Sequence, residues 1–442
     1  MNANHLGDEA DLLLRGGRIR TLDPGGSTTD ALAVRAGRIV ALGADALGLH
    51  ATETVDLDGR TAIPGVNDAH LHAAWLGARW PHLFFSDTSP HEQPSGTLVR
   101  TAVERRAALR NAWRLLAELG ITSYTEPGIG PGEDTGETGC FGTAMMDTYL
   151  ELHRAGVQTA RVTLLRLFGQ LDGSADLAAF EQGIRAPKPE TDPHWLAVTG
   201  VKIFADGIPP MTTAWVSEPY PDGTSGELLP QGAEGALHAY RRMISLAIEQ
   251  GEQVAVHATG DRSIEEFLRV LEEQAGPVAA APHYVVHADL ATPAQIERMG
   301  TVGAGFAVQP LIAEHTRDWA GAQLGPARTA AAWPIGEMLA SGALTTITSD
   351  APIATPDWRI GLDASLALLG RDDASTREQL LRRVTIDPAR QDGAATWKGS
   401  LELGKVADIT VLDEDPAEPG RPFGGVGIAR TIVDGRTVFE QD

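Results

Sequence analysis

Two styles of hydrophobic patterning divide the chain. Over residues 11–62 the runs LLLRGGRIRTL, ALAVRAGRIVALG and TVDLDGRTAI are rich in Val, Ile, Leu and Thr and are broken by Gly-Arg and Asp-Gly pairs. Residues 400–439 repeat that style, with KVADITVLD followed by ARTIVDGRTVFE around an Asp-Gly turn. Short β-branched runs punctuated by turn residues read as strands and hairpins. The middle lacks this style. The two ends therefore predict one small β-sandwich domain, built from residues 1–62 and 396–442, clamping a central domain of residues 63–395.

Between the ends, strand-like and helix-like segments alternate. IPGVNDAHLH (63–72) closes the first strand. ITSYTE (121–126), VQTARVTLLRLFG (157–169), VTGVKIFADG (198–207) and EQVAVHATG (252–260) carry the next four. HYVVHAD (283–289), TVGAGFAVQP (301–310) and LTTITSDAP (344–352) carry the last three. Apolar residues at three-to-four spacing predict helices over 98–119, 232–250, 261–274, 292–300 and 330–341. Eight such units predict an α/β fold, a closed parallel (β/α)8 TIM barrel with strands buried on both faces.

In such barrels the chemistry lies at the C-terminal ends of the strands. His70 and His72 end the first strand, Lys202 lies in the fourth, His257 ends the fifth, His287 the sixth and Asp350 the eighth. An extended chain has a side-chain period of two, so His70 and His72 point one way and Leu71 the other. Two imidazoles side by side suit one divalent metal. A lysine or histidine inside an apolar strand is costly without a partner. The six positions together predict a metal centre.

Composition narrows the partners. The net charge is −23, which argues against nucleic acid, because phosphate binding needs clustered Lys and Arg. The lone cysteine, Cys140, excludes a disulfide framework, a cysteine zinc site and an iron–sulfur cluster. No apolar run approaches the ~18 residues of a membrane span. The N-terminus has no basic region followed by an apolar core, so a cytoplasmic location is expected.

The motifs IPGVNDAHLH, GVKIFADG, VAVHATGDRSI, HYVVHADLATPAQIERMG, AVQP, TSDAPIATP and GSLELGKVADITVLDEDP resemble the metal-dependent amidohydrolase superfamily. The branch they resemble is the YtcJ-like group, amidohydrolase family 3, whose best-known activity is N-substituted formamide deformylase. The resemblance implies that His70 and His72 bind a first, more buried metal and that His257 and His287 bind a second. Lys202, if carboxylated on its amine, would bridge the two, and Asp350 would take the proton of the attacking water. Imidazoles with a carboxylate suit zinc, one or two ions per chain, with manganese or iron as alternatives. The implied reaction is hydrolysis of a C–N bond in an amide, N-formyl or N-acyl small molecule. The alternatives are opening of a cyclic amide, deamination of a heterocycle, or a lyase-type reaction on the same scaffold. The family also suggests a homodimer.

Further residues are expected around the centre. A free ammonium beside divalent cations is electrostatically untenable, so Lys202 is neutral, carboxylated, or turned away toward Asp206. Asp68 is placed to hold a ligand imidazole. Glu126 ends the second strand and either approaches the metals or substrate or sits in a salt bridge on the rim. Asp261 is a helix N-cap or a site residue, and Gln309 a pocket or core-edge amide. The Pro/Gly-rich stretch 207–232 reads as a lid, with Met211, Trp215 and Tyr220 as an apolar wall. His283 reads as structural, and His82, His91, His153, His194, His238 and His315 as surface or loop residues. Relatives in this branch carry a long insertion after the His-x-His strand that this chain lacks. Trp75, Trp80, Phe84 and Phe85 cluster there instead, as pocket wall, dimer contact or core.

Overall fold

A computed structural model describes residues 9–85, 93–274 and 281–441. Its centre is a ring of eight parallel strands hydrogen-bonded in chain order. They are β1 (Val66–Asp68), β2 (Ile121–Ile129), β3 (Arg161–Leu167), β4 (Leu196–Phe204), β5 (Gln253–Ala258), β6 (Tyr284–His287), β7 (Gly305–Val308) and β8 (Leu344–Ile347). The ring closes between β1 and β8 through backbone bonds just beyond the strands: Asp350 N–H donates to His70 O at 2.9 Å and His72 N–H to Ala351 O at 2.8 Å. The carboxylate of Asp68 spans the same seam, accepting from the amides of His70 and Ser349.

Strand register explains which side chains face inward. Leu165, Ala255, Tyr284, Val286 and Ala307 form a small cluster of their own inside the ring. Lys202 pairs in register with Ala255, and His257 with Val286, so both point inward with them. Successive residues alternate faces, and the intervening Val254 and Val256 pack instead in the large core.

The long helix between β1 and β2 runs Ala102–Glu118, opened by a capping box between Thr101 and Glu104. The helix expected from residue 330 begins much earlier. Pro310–Ala331 is helical, interrupted at Gly325 (φ 72°) before Pro326, and a short helix, Ile335–Ala340, follows. The Gly-Pro pair hid the periodicity. Among the described residues no helix is long and apolar enough to cross a membrane.

Both chain ends contribute to one eight-stranded sheet. The long strand Glu9–Arg20 pairs with Thr28–Arg35, His50–Asp56 and Thr61–Pro64, and Thr61–Pro64 in turn pairs with Ile409–Leu412 from the other end of the chain. The sheet has its own apolar core, in which Leu14, Ile19, Leu32, Ile409 and Ile432 are buried. Arg161, at the start of β3, ties it to the barrel. Its guanidinium holds Asp408 through two bonds of 2.7 and 3.0 Å and reaches Asp434 at 3.0 Å. Gly65 alone separates Thr61–Pro64 from β1. A Cβ there would lie 2.1 Å from the Thr122 hydroxyl, so close approach requires glycine.

Candidate metal centre and active site

His70 and His72 lie past the end of β1, in the turn that leads into the helix Ala73–Arg79. The expected alternation holds there: Leu71 is buried in the apolar core, and both rings face Asp350. Asp350 Oδ1 is 3.3 Å from His70 Nε2 and 3.5 Å from His72 Nε2. One ligand atom from each of the three lies within 4.8 Å of the others. The Nδ1 of His70 is buried with no hydrogen-bond partner. Two imidazoles and a carboxylate converging in this way fit a divalent ion of the zinc type.

His287 and His257 adjoin this triad. Their ring centroids are 4.6 Å apart, and His287 is 5.9 Å from His70. His287 falls out of phase with Tyr284 and Val286, and its backbone is left-handed (φ 72°). Asp350 is left-handed too (φ 54°). Such geometry is uncommon outside glycine and persists where surrounding structure enforces it.

Three hydrogen-bonded supports orient the rings. Gln309 Nε2 donates to Ala307 O and Thr348 Oγ1, which leaves its Oε1 to accept from His287 Nδ1 at 2.8 Å. That acceptor requires the Nδ1–H tautomer and frees Nε2 as a ligand atom. Glu126 does the same for His72: Oε1 is 3.3 Å from Nδ1, while Oε2 accepts from Ala73 N–H and the Tyr149 hydroxyl. Tyr149 is backed by Tyr124, which accepts from Trp113 Nε1–H. The third support is Asp68, but it holds backbone rather than an imidazole. Glu126 thus takes the place expected of Asp68 behind a ring, and it is fully buried rather than on the rim.

The charges are coupled. Burial works against a charged His72, but the Asp350 and Glu126 carboxylates outweigh it and push the imidazole up to about 9. Burial, reinforced by Lys202, pushes His70 down to about 3. Asp350 resists its own burial because the two imidazoles hold it well below the carboxylate range. Burial pulls Lys202 down to about 8 and raises Asp68 to about 7.

The sequence model of the amidohydrolase family matches residues 89–439. The chain belongs to the amidohydrolase family. Among its relatives, this amidohydrolase is 27% identical over 253 residues to YtcJ of Bacillus subtilis (strain 168), itself named for an amidohydrolase, covering 54% of this chain and 47% of the relative. It is 28% identical over 208 residues to N-substituted formamide deformylase of Arthrobacter pascens, covering 44% of this chain and 38% of the relative. In both matches the chain spans less than half of the relative's length. Its fold matches that of an uncharacterized metal-dependent hydrolase from Pyrococcus horikoshii OT3, with a TM-score of 0.72 at 19% identity over 94% of this chain and 99% of the other.

The remaining expected residues of this amidohydrolase divide between the centre and the loop that follows β4. Lys202 is buried, with no ion-pair partner among the described residues, its amine 4.8 Å from the Phe204 ring centroid. It does not pair with Asp206. That carboxylate is saturated instead by the amides of Trp215, Thr259 and Gly260 and the Ser263 hydroxyl. Asp261 is not the N-cap, which is Gly260; it sits one residue inside the helix Asp261–Glu273 and accepts from Ser217. Asp206 and Asp261 therefore pin the 207–232 loop to that helix. Trp215 lies against Arg262, and Tyr220 donates to Ala214 O, so neither forms the pocket wall.

A cavity of about 430 Å³ opens beside His257, His287 and Asp350. Met211 and Phe85 line it, with Asp172 and Asp289, which the sequence reading passed over. Trp75 packs against His72 and Phe141 behind the candidate triad, while Phe84, 43% exposed, packs on the outer side against Trp75 and Arg79. Phe85 stacks on His315, and Trp80 is partly exposed. His283 is structural: its Nδ1 accepts from Val254 N–H. His91 lies outside the described residues.

Proposed function

We propose that this amidohydrolase cleaves a C–N bond of an amide, N-formyl or N-acyl small molecule with water. The observation that carries the reading is the meeting of Asp350 Oδ1 with Nε2 of both His70 and His72 at the mouth of the barrel, beside the cavity. The proposed ligands are His70, His72 and Asp350 for one ion, and His257 and His287 for a second. Zinc is the proposed metal. Bound there, a divalent ion would polarise a carbonyl and lower the pKa of water.

The protein's own groups do the rest. Asp350 is ionised at neutral pH, because the imidazoles stabilise its charge. It accepts the proton of the attacking water and delivers it to the departing nitrogen as the C–O bond forms and the C–N bond breaks. With an ion bound, Glu126 and Gln309 would keep the proton of His72 and His287 on Nδ1, leaving each Nε2 lone pair to the ion, for His72 in place of the N–H that meets Asp350 without it. Lys202 is proposed to carry a carbamate made from its neutral amine and carbon dioxide. Its burial with no carboxylate at ion-pair distance among the described residues supports that reading.

The experiment is a mass-spectrometric hydrolysis screen of the zinc-loaded protein with linear formamides, N-acyl amines, cyclic amides and aminated heterocycles. Release of an amine from a linear amide is the expected result. Ring opening or ammonia release instead would replace it with cyclic-amide hydrolysis or deamination. Loss of a group without uptake of water would point to a lyase-type reaction.

A further inference from the structure

The two oxygens of Glu126 have different tasks. Oε2 accepts from the Ala73 amide at 2.9 Å and from the Tyr149 hydroxyl at 2.8 Å, which leaves Oε1 to face His72 Nδ1 at 3.3 Å. Behind Tyr149 stands Tyr124, its hydroxyl 3.2 Å away, and behind Tyr124 stands Trp113, its indole Nε1 3.0 Å from the Tyr124 oxygen. All four side chains are buried. Strand phase brings them together. Tyr124 and Glu126 share one side of β2, the side that meets Trp113 on the helix Ala102–Glu118 and Tyr149 on the helix Thr143–Arg154. Ser123 and Thr125 take the other side, where their hydroxyls meet Lys398 and Asp392.

The chemistry of the donors fixes a direction. An indole N–H only donates, a carboxylate only accepts, and each phenol has one proton. Burial pushes both phenols up, so both keep that proton at neutral pH. The Tyr149 proton goes to Glu126, so Tyr149 accepts from Tyr124, and Tyr124 from Trp113. The chain runs one way, from Trp113 through Tyr124 and Tyr149 to Glu126, and no proton is left over. Each donor in such a chain polarises the next, which strengthens the last bond.

We propose that Tyr149 is a positioning residue for the metal centre, and that the chain from Trp113 acts through it to hold Glu126 with Oε1 toward the His72 ring. The inference rests on the reading of His72 as a metal ligand. With Tyr149 in place, two donors lock Oε2, and the carboxylate has a single orientation to offer Nδ1. Without it the Ala73 amide alone holds Oε2, and the carboxylate is free to turn from the ring. The ring then loses the acceptor that keeps its proton off Nε2. A chain that merely satisfied buried polar groups would support stability and leave metal affinity unchanged.

The test is the zinc affinity of the full chain, by competition with a chromophoric chelator, in Y149F, E126Q and the double variant. Y149F is expected to bind zinc about 3–10-fold more weakly than the wild type, a step below the loss from a group that touches the ligand itself. In E126Q the ring's proton has already moved, so adding Y149F is expected to change affinity less than about two-fold. Y240F is the control, because that buried phenol donates to a backbone oxygen, Ser263 O, at 3.1 Å. It is expected to lower the urea midpoint and keep wild-type zinc affinity. Wild-type affinity in Y149F overturns the proposal. So does an equal loss in the wild-type and E126Q backgrounds, because the phenol then acts by another route. Should Y149F not fold, Y124F reads the chain one link further back. A loss of about two- to three-fold is expected there, and wild-type affinity overturns the proposal. His72→Ala separates the inference from the reading beneath it. If that variant binds zinc as tightly as the wild type, His72 is no ligand and both fall. If it loses zinc while Y149F keeps it, only the inference falls.

Discussion

Glu126 stands behind His72, one carboxylate oxygen 3.3 Å from Nδ1 and the other committed to the Ala73 amide and the Tyr149 hydroxyl. In Glu126→Gln the Ala73 N–H retains the amide oxygen, so the amide NH2 turns to His72. That forces the ring's proton to Nε2, the atom facing Asp350. Metal affinity is expected to fall about 10–100-fold with the fold intact. Competition titration with a chromophoric chelator checks this; an unchanged affinity removes Glu126 from the ring's control.

Asp350 sits between both imidazoles, and the proposed reaction makes it the acceptor for water's proton. Asp350→Asn is expected to lower kcat about 10²–10⁴-fold while His70 and His72 retain the ion. Turnover and metal content by plasma emission are measured together, and wild-type turnover in the variant would sink the general-base role.

Lys202 is buried, with no carboxylate at ion-pair distance among the described residues. Incubated with bicarbonate, the native protein is expected to gain the mass of one carbon dioxide, which is lost on acidification. Lys202→Met should not gain it and should bind one fewer ion. An unmodified lysine in a fully active, metal-saturated protein would exclude the carbamate.

Burial pushes the His283 imidazole down to about 4, against about 6.5 for an unfolded chain. The fold therefore favours the neutral ring. Its contribution is complete above pH ~6.5 and is lost as pH falls toward 4, by at most about 3 kcal/mol. His283→Gln keeps an acceptor for Val254 N–H but does not titrate. Urea midpoints between pH 7 and 4.5 should fall less steeply in the variant than in the wild type; parallel curves would count against it.

Arg161 joins the barrel to the terminal sheet by a buried fork on Asp408, with Asp434 beside it. Arg161→Ala strands Asp408 inside and is expected to cost about 3–5 kcal/mol. Arg161→Met with Asp408→Leu should recover much of that, because no lone charge is then buried. Equilibrium unfolding of both variants provides the comparison.

The polar cluster at the barrel mouth was legible because a polar side chain at the end of an apolar strand conflicts with its surroundings, as at His257, His287 and Asp350. Residues that support those side chains carry no such signal. Glu126 and Gln309 look like rim groups until the fold places each behind a ring. Asp68 was misread because a carboxylate near two histidines suggests an imidazole partner, whereas the need at that point is for backbone acceptors across the closing seam. Asp172 and Asp289 lie in segments whose approach to the cavity depends on loop paths that no periodicity encodes. The break at Gly325 and Pro326 hid the helix Pro310–Ala331 for a local reason, since the pair reads as a loop.

Gly65 links the two parts of the molecule over the shortest possible distance. The strand Thr61–Pro64 is fixed against Ile409–Leu412, the Gly65 amide donates to Asp408 O at 2.8 Å, and β1 begins at the next residue. The small sheet therefore serves as a gauge for the histidine pair. A slip of one residue against Ile409–Leu412 would rotate Leu71 toward Asp350 and send both imidazoles into the apolar core. Catalytic alignment in this chain is set partly by a strand pairing outside the barrel, between segments nearly three hundred and fifty residues apart.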